Sequence, residues 1–444
     1  MKSSLRRALA TGLVGGVLVM VPASTVSADA QVASSPQTVY VSHTASANNN
    51  DSSCANAAFL TVQSAVDAVN PGGTVYLCDA TPFEESVVVN QSVNITGVPG
   101  ATIQSSGAPT TTFFSSQGLQ TPNSVVTVLG NANVDISGIT IEGPFTNTGG
   151  CEVQDYGILQ LGTGYVQIAN DVVQNIGASD QVDLGGCQYG VAIENGSEYW
   201  PTSAGAYPGS VVNFPGNALV QDTTVSGYQK NGITADGPGT QIQVNGLVAN
   251  GGGQTSVIGR NGVQISDGAT GIVQNSEIYA NEYTGTGFNG SAAGVLVFGG
   301  CGSPLSVNVK IIHNRITNND IGVYDGNFSA DCSTGATSPT NNHVINNYIS
   351  KSDGETNSAP TSDVNGNAYS AYQVGIADTG YNDLIQSNTI VGTLTTSGSD
   401  SAYGPATAAG GPFLDAMDFI TFPPTNVSAR NNTFDGQRLP NMAP

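Results

Sequence analysis

The sequence predicts an all-β protein that winds as a solenoid, a parallel β-helix. Three observations predict this fold. A short phrase that begins with Gly recurs along the chain, and a second phrase that contains Asn falls between its copies. The apolar runs are three to five residues long, alternate with polar residues and have no helical stretch between them. Repeats of about 20 to 50 residues are typical of solenoids and propellers.

The first phrase consists of Gly, a β-branched residue, a variable residue and usually another apolar one. It occurs as GILQ (157–160), GVAI (190–193), GITA (232–235), GVQI (262–265), GVLV (294–297), GVYD (322–325) and GIAD (375–378). Successive copies lie 28 to 53 residues apart. A coil of three short strands, joined by one tight turn and two loops of variable length, explains this variation, and such coils stack about 4.8 Å apart.

The second phrase carries an Asn about two residues before an apolar residue. It occurs as IVQNSEI (272–278), IIHNRI (311–316), VINNYI (344–349), IQSNTI (385–390) and ARNNTF (429–434). Asn tolerates the left-handed backbone conformation, and its amide can stack on identical amides above and below. The pattern therefore predicts one Asn in the tight turn of each coil, namely Asn275, Asn314, Asn347, Asn388 and Asn432.

These phrases resemble the repeats of the pectin-lyase-like parallel β-helix superfamily. The segment from Ala57 to Ile103 is similar to the entry segment of secreted members, a short amphipathic helix followed by a strand and the first coils. The resemblance implies a right-handed, single-stranded β-helix of roughly 9 to 11 coils. It also implies a short N-terminal capping helix, roughly Phe59 to Val69, that covers the open end of the stack. The resemblance is specific for the fold and not for an activity.

In the naming used for that fold, the Gly phrase is strand PB1, and the strands before and after the Asn turn are PB2 and PB3. Cys151 and Cys187 precede the glycines at 157 and 190 by six and three residues. Cys301 and Cys332 follow the glycines at 294 and 322 by seven and ten residues. This register implies three disulfides, Cys54–Cys78, Cys151–Cys187 and Cys301–Cys332.

The beginning of the chain is typical of a secretory signal peptide. Residues 1–30 have a basic start, an apolar run from Ala8 to Val21 and Ala28-Asp29-Ala30 as a cleavage site. We expect a lead-in segment at 31–56, the β-helix domain at 57–437 and a tail at 438–444. No other apolar run approaches the ~20 residues that cross a bilayer. We therefore expect a secreted, extracellular protein that does not bind membranes and is a monomer.

The expected mature protein is strongly acidic. Removal of residues 1–30 leaves 31 acidic residues (32 less Asp29) and 7 basic ones (10 less Lys2, Arg6 and Arg7), a formal charge of −24. Such a charge repels nucleic acid and anionic membranes. It also disfavours polyanionic glycans, unless calcium bridges the carboxylates or the medium is acidic. The cofactor prediction is accordingly none, with calcium as the alternative.

In the resembling fold, long loops beside PB1 wall a groove in which active sites lie. Aromatic side chains in or beside these loops suit the apolar faces of sugar rings, and the alternative is that they pack their own loops onto the scaffold. The residues predicted to bind substrate are Trp200, Tyr199, Tyr207, Tyr324 and Tyr372.

Four acids near the ends of PB1 phrases are candidate catalytic residues, namely Asp236, Asp267, Asp325 and Asp378. Asp325 and Asp378 have the same offset from their glycines, which places them one coil, about 5 Å, apart. Two carboxylates at that distance suit glycoside hydrolysis, and the proximity of like charges raises one pKa. The alternative is structural, because Asp-Gly is a common turn pair and alternation points Asp325 and Asp378 inward.

A further acidic group surrounds the predicted Cys151–Cys187 disulfide. Glu194 and Glu198 belong to the same group. A calcium site or a carboxylate pair is one interpretation of these acids, and an ordinary solvated acidic loop is the other. The candidate ligands are Glu152, Asp155, Asp180 and Asp183.

The signatures of the best-known pectinolytic enzymes are missing. The sequence has no G-H-G or R-I-K, which polygalacturonases of the resembling fold carry, and no PB1 phrase contains the basic residue that pectate lyases use. The leading hypothesis is a secreted carbohydrate-active protein that cleaves a polysaccharide, as a glycoside hydrolase or lyase, in the PB1 groove. The rival is a non-catalytic protein that binds glycans or belongs to the cell-surface matrix.

Overall fold

Three long parallel sheets form most of the described chain. The computed structural model describes residues 37–106, 122–145, 154–177, 190–199, 212–256, 258–283, 292–351, 361–362, 368–369, 374–392, 417–418 and 424–443. Within these ranges the sheets contain 10, 12 and 12 strands, and each sheet collects one strand from successive coils. They are PB1, PB2 and PB3, and they confirm the predicted all-β parallel β-helix.

The strands of the first coils are β1 (Thr38–Val41), β2 (Gly73–Leu77), β3 (Phe83–Glu84), β4 (Val87–Val89), β5 (Val93–Gly97), β6 (Thr102–Gln104), β7 (Asn123–Leu129), β8 (Val134–Ser137), β9 (Thr140–Glu142), β10 (Asp155–Leu161), β11 (Tyr165–Ala169), β12 (Val172–Gln174), β13 (Val191–Asn195), β14 (Ser197–Tyr199), β15 (Val212–Phe214), β16 (Asn217–Gln221) and β17 (Thr224–Ser226). The later coils contain β18 (Asn231–Asp236), β19 (Gln241–Asn245), β20 (Val248–Thr255), β21 (Asn261–Ser266), β22 (Thr270–Gln274), β23 (Glu277–Tyr283), β24 (Ala293–Gly299), β25 (Lys310–Ile312), β26 (Arg315–Thr317), β27 (Ile321–Asn327), β28 (His343–Ile345), β29 (Tyr348–Lys351), β30 (Thr361–Ser362), β31 (Ala368–Tyr369), β32 (Val374–Asp378), β33 (Leu384–Gln386), β34 (Thr389–Gly392), β35 (Met417–Asp418), β36 (Ser428–Arg430), β37 (Thr433–Phe434) and β38 (Gln437–Arg438).

The strands alternate among the three sheets along the chain. PB1 contains β4, β7, β10, β13, β18, β21, β24, β27, β32 and β35. PB2 contains β1, β2, β5, β8, β11, β16, β19, β22, β25, β28, β33 and β36. PB3 contains β3, β6, β9, β12, β17, β20, β23, β26, β29, β34, β37 and β38, of which the last pair is antiparallel. The pairs β14–β15 and β30–β31 form antiparallel hairpins outside the coils.

The glycine of the PB1 phrase is required by space inside the coil. A Cβ on Gly294 would lie 2.5 Å from Cγ2 of Ile316, and a Cβ on Gly157 would lie 2.7 Å from Cγ1 of Val173. Both neighbours belong to PB3, so any larger residue would push PB1 away from PB3. The recurring glycine therefore marks the corner at which the chain passes from PB3 to PB1.

The apolar residue after that glycine forms a continuous column in the core. Neighbouring strands align Ile233, Val263, Val295 and Val323, and all four side chains are fully buried. Burial of each of these branched side chains stabilises the fold by roughly 1.5 to 3 kcal/mol. The short β-branched runs of the sequence are the core-facing positions of this stack.

The predicted asparagine ladder exists, but its position in the turn differs from the prediction. Asn347 Nδ2 donates to Asn388 Oδ1 at 3.0 Å, and Asn314 Nδ2 donates to Asn347 Oδ1 at 3.0 Å. These amides are buried, and the ladder continues to Asn432. The left-handed residue of each turn comes one position earlier, at His313, Asn346, Ser387 and Asn431, with φ between 56° and 57°. Only Asn275 has the predicted left-handed conformation, because the residue in the ladder position of its coil is Ser276.

The predicted N-terminal helix is present and shorter than expected. Helix α1 (Val62–Ala68) begins at the N-cap Thr61 and buries Val62, Ala65 and Val66 against the first coil. The Glu85 carboxylate accepts hydrogen bonds from the backbone N–H groups of Val62 and Gln63 at 2.7 and 3.0 Å. A carboxylate at this position satisfies free N–H donors and complements the helix dipole. A 3₁₀ helix (Cys54–Asn56) precedes α1.

Two of the three predicted disulfides are confirmed. Cys54 bonds to Cys78 and Cys301 bonds to Cys332, with Cα atoms 5.4 and 4.7 Å apart. The third predicted pair, Cys151 with Cys187, lies outside the described residues. Across the part of the chain described above, no helix combines the length and the apolar character that a membrane crossing requires.

Candidate functional site at the outer face of PB1

The outer face of PB1 is built by the residues that alternate with the core column. In β18, Ile233 and Ala235 belong to the main core, whereas Thr234 bonds to a side chain outside it. Tyr156, which precedes Gly157, also faces outward, and it shares an apolar cluster separate from the main core with Val191, its partner on β13. Each PB1 strand therefore presents two or three side chains to the outside.

A polar patch occupies the middle of this outer face. We call it the polar face and define it by Glu194, Asn231, Thr234, Asp236, Asn261, Gln264 and Ser266. It comes from three adjacent strands, β13, β18 and β21. Asp236 and Gln264 keep part of their surface exposed, and the other members are buried.

A chain of hydrogen bonds orients the polar face and ends on a carboxylate. Asn231 Nδ2 donates to Gln264 Oε1 at 2.9 Å, and Gln264 Nε2 donates to Ser266 Oγ at 3.0 Å. The Ser266 hydroxyl then donates to Asp236 Oδ1 at 2.8 Å. Asn261 Nδ2 joins the chain by donating to Asn231 Oδ1 at 3.0 Å. The chain fixes the direction of the Asp236 carboxylate and makes one of its oxygens a hydrogen-bond acceptor.

Glu194 is the protonatable partner of Asp236. Glu194 aligns with Thr234, two residues before Asp236 on the adjacent strand. Burial raises the pKa of Glu194 well above its ordinary value, the negative charge of Asp236 raises it further, and a hydrogen bond with Thr234 opposes these effects. A carboxyl group with a raised pKa next to a hydrogen-bonded carboxylate is an arrangement that suits general acid catalysis.

Asp267 extends the acidic group by one residue. It follows Ser266 and has a left-handed backbone with φ of 53°. Burial raises the pKa of Asp267, and hydrogen bonds with Ser303 and Asp236 lower it. Its Oδ1 atom is buried and has no hydrogen-bond partner. Two of the four predicted catalytic acids, Asp236 and Asp267, therefore lie together at the outer face of PB1.

Two cations lie at the edge of the polar face and were missed from the sequence. Lys230 and Arg260 directly precede β18 and β21, one coil apart, since the Asn261 N–H donates to the Lys230 carbonyl at 3.0 Å. Burial lowers the pKa of Lys230 to about 8, and its Nζ donates to the Gly259 carbonyl at 2.9 Å. Burial also lowers the pKa of Arg260, which donates to the Gly251 carbonyl. In the sequence, the signal that could have identified them is a basic residue two positions before the PB1 glycines at 232 and 262.

Apolar side chains flank the polar face on both sides. Toward the N-terminus, Tyr156, Leu159, Leu161 and Val191 form one cluster. Toward the C-terminus, Ala293, Ile321, Val374 and Ala377 form another, against which Leu296 and Tyr324 pack. Tyr324, a predicted substrate-binding residue, is thus partly buried at the outer face of PB1. Tyr199 ends β14 and its side chain is not described, whereas Trp200, Tyr207 and Tyr372 lie outside the described residues.

The other two predicted catalytic acids face the inside of the coil. Asp325 and Asp378 align directly on neighbouring strands, as the repeat predicts, and each is 1% exposed. A ligand on the outer face of PB1 is separated from both carboxylates by the strands themselves. The structural alternative stated for these residues therefore fits their position better, and we do not carry their catalytic role forward.

Asp383, which the sequence did not single out, joins these two acids. Burial raises the pKa of Asp325 to about 6, while hydrogen bonds from Asn342 and Asn327 lower it. Burial and then the charges of Asp325 and Asp378 raise the pKa of Asp383 to about 10. Burial and then the charge of Asp325 raise the pKa of Asp378 well above its ordinary value. The three groups form a buried acidic cluster distinct from the polar face.

The predicted calcium ligands are only partly described. Asp155 is fully buried in β10, where it accepts a hydrogen bond from Asn123 Nδ2 at 2.9 Å. Burial raises its pKa to about 6. Glu152, Asp180 and Asp183 lie outside the described residues, so the calcium site remains a prediction.

Comparison with known proteins finds similarity among solved structures alone. No protein-family model matches the chain, and no curated protein matches it in sequence. A crystal structure of the pectate lyase Pel9A is similar over 87% of this chain and 85% of that one, with 16% identity and a TM-score of 0.43. The GH136 lacto-N-biosidase from Eubacterium ramulus is similar over 89% of this chain and 67% of that one, with 11% identity and a TM-score of 0.46.

A third similar structure is that of PfbA, a surface adhesin of Streptococcus pneumoniae. It is similar over 84% of this chain and 85% of that one, with 12% identity and a TM-score of 0.33. Likeness at these values transfers no site and no activity to this chain. The function has to be argued from the side chains of the polar face.

Proposed function

We propose that this protein is a carbohydrate-active β-helix protein that cleaves a polysaccharide at the polar face of PB1, as a glycoside hydrolase. The observation that carries the proposal is the pairing of Glu194, whose pKa burial and the charge of Asp236 raise, with Asp236, whose carboxylate is held by a hydrogen-bond chain. In this proposal Glu194 protonates the leaving oxygen. As the bond between the anomeric carbon and that oxygen breaks, Asp236 on the other side of the sugar takes a proton from the water that forms the new bond to this carbon, and Asp267 beside it adds negative charge.

The spacing of the two acids supports this assignment. Glu194 and Asp236 are offset by one strand and two residues. The distance between adjacent strands and the rise of two residues along a strand together separate their Cα atoms by about 8 Å. Glycoside hydrolases hold their two carboxyl groups roughly 5 to 9.5 Å apart, and side chains from these positions can reach that range.

The surroundings of the pair suit a neutral glycan. Amide and hydroxyl groups of the polar face repeat from strand to strand, which matches the repeated hydroxyl groups of a polymer that lies along the coil axis. The flanking apolar clusters are themselves buried, and the partly buried side chains that pack against them offer apolar surface for the faces of sugar rings, namely Leu129, Phe214, Leu296 and Tyr324. The acidic charge of the chain, −22 in total, disfavours a polyanion. We infer that the protein acts outside the cytoplasm after residues 1–30 are removed, in keeping with its disulfides.

Incubation of the mature protein with a panel of neutral, acetylated and acidic polysaccharides tests this proposal. A hydrolase releases new reducing ends without unsaturated sugars, whereas a lyase also produces absorbance from a new double bond. Hydrolysis of a neutral or acetylated glycan is the expected result. Unsaturated products would instead assign a lyase and would reject Glu194 as a hydrolytic acid.

A non-catalytic glycan-binding protein is the second candidate. It is favoured by the low exposure of the polar face, where Asn231 and Asn261 are 3% and 1% exposed and bond to each other. Retained binding to a glycan in the same panel, without products of either kind, would support this candidate over the hydrolase.

A further inference from the structure

The buried acidic cluster of Asp325, Asp378 and Asp383 has the dimensions of a cation site. Each residue offers a carboxylate oxygen, and these oxygens lie within 4.8 Å of one another. The side chains are 1%, 1% and 2% exposed, respectively. Two oxygens that bind one calcium ion at about 2.4 Å can be at most about 4.8 Å apart. The separation of the three carboxylates therefore meets this necessary condition for one shared ion.

The donors around this cluster are all neutral. Asn327 and Asn342 donate to the two oxygens of Asp325 at 2.7 and 2.8 Å. The Gly380 N–H donates to Asp378 Oδ1 at 2.8 Å. No ion pair among the described residues includes a member of the cluster. The described residues thus supply no positive partner for these three carboxyl groups, and burial of all three as carboxylates without a cation would be costly.

Two oxygens of the cluster have no hydrogen-bond partner, and they point to a missing ligand. Asp383 Oδ1 accepts from Thr340 Oγ1 at 2.7 Å and from the Asn342 N–H at 2.6 Å, but Asp383 Oδ2 has no partner. Asp378 Oδ2 is likewise buried without one. A side chain at Gly380 would collide with Asp383 Oδ2, so the chain leaves space beside this atom. Buried carboxylate oxygens without donors are the groups that a hard cation binds.

We propose that Asp325, Asp378 and Asp383 bind one calcium ion inside the coil. The ion joins two successive coils, because Asp325 belongs to β27, whereas Asp378 ends β32 and Asp383 precedes β33 in the next coil. Its role is structural, since the site is closed to the outside and lies behind the strands of PB1. This site is independent of the proposed polysaccharide cleavage and of the predicted ligands around Asp155.

Metal analysis and chelation of the full mature protein test this site. After purification without chelator, elemental analysis is expected to find about one calcium ion per chain. Dialysis against EGTA is expected to lower the melting temperature, and added calcium is expected to restore it. A protein without stoichiometric calcium, even after incubation with excess calcium, and with the same melting temperature in EGTA and in calcium, would overturn the proposal.

Variants of the cluster residues test whether the calcium ion binds at this cluster. Asp378→Asn and Asp383→Asn keep the side-chain size and are expected to lose the bound calcium and the EGTA effect. Asp155→Asn and the exposed Asp67→Asn are the matched controls, and both are expected to retain the ion and the response to EGTA. Loss of calcium in Asp155→Asn with retention in Asp378→Asn would place the ion elsewhere and reject the site. If the cluster variants do not fold, the calcium content and EGTA response of the unaltered protein still decide the proposal, with Asp155→Asn as the control for location.

Discussion

Glu194 lies on the PB1 strand next to that of Asp236, and the charge of Asp236 is the second cause, after burial, of the raised pKa of Glu194. The two carboxyl groups can therefore have different roles in catalysis. One can donate a proton at a pH at which an exposed glutamate has already lost it. The other is held as an acceptor by Ser266.

Substitution Glu194→Gln is expected to remove the proton donor and leave the polar face intact. General acid catalysis contributes about 10²- to 10⁴-fold, so kcat on a glycan substrate should fall by that factor with little change in binding. The melting temperature should not fall, because an amide replaces a buried acid. Steady-state kinetics and calorimetry check this, with the exposed Glu277→Gln as control. Unchanged kcat in Glu194→Gln would contradict the assignment.

Lys230 is expected to make the protein more stable as the pH rises in the alkaline range. Burial lowers the pKa of Lys230 from 10.5 to about 8 in the folded state. Between these values the unfolded chain binds more protons than the folded one, so the free energy of unfolding rises from about pH 8 to 10.5 relative to a variant that lacks the amine. Denaturant unfolding of the unaltered protein and of Lys230→Gln across this range measures the difference. Parallel curves for the two proteins would show that the Lys230 pKa is not lowered.

The asparagine ladder is expected to stabilise the stack more than the turn residues do. Asn347→Ala removes one hydrogen-bond partner from each of the buried side chains of Asn314 and Asn388, at a cost of about 2 to 4 kcal/mol. The adjacent Asn346→Ala keeps the ladder, incurs the left-handed backbone cost of about 1 kcal/mol and loses one exposed hydrogen bond with His313 Nε2. Urea unfolding of both variants compares them. A smaller loss for Asn347→Ala than for Asn346→Ala would refute the ladder's role.

The buried ion pair of Lys351 and Glu282 provides a fourth test. Both side chains are almost fully buried, at 2% and 4% exposure. Lys351→Met alone leaves a buried glutamate without its cation, and the expected loss is about 3 to 5 kcal/mol. The double substitution with Glu282→Leu should recover most of that loss. A double-mutant cycle by calorimetry measures the coupling, and additive losses would show that the pair contributes no coupling.

The fold could be predicted because two requirements repeat from coil to coil between β18 and β32, although Ala192 holds the glycine position in β13. The PB1 glycine is required wherever PB3 packs closely, as at Gly294 beside Ile316, and the β-branched residues mark the core column. The position of the asparagine within the turn could not be read reliably. Asn346 and Asn347 are adjacent and identical in type, and only the packing of the coils decides which side chain enters the ladder.

The site was predictable in part for a physical reason. Asp236 and Asp267 stand out beside turn glycines, and alternation correctly pointed Asp325 and Asp378 inward. Glu194 could not be recognised as a buried acid, because its burial depends on surroundings that the phrase GVAIEN does not reveal. Lys230 and Arg260 could not be recognised from the PB1 phrase itself, because both lie two residues before its glycine and so outside the repeat.

The most direct test of the central claim is the turnover of Asp236→Asn on a polysaccharide that the unaltered protein binds. Release of reducing ends and equilibrium binding are measured on the same glycan, with the exposed Asp67→Asn as control. The proposed site predicts that Asp236→Asn binds the glycan with a similar Kd and loses at least about 100-fold in kcat. Equal turnover of Asp236→Asn and the unaltered protein would show that the chemistry does not occur at the polar face of PB1.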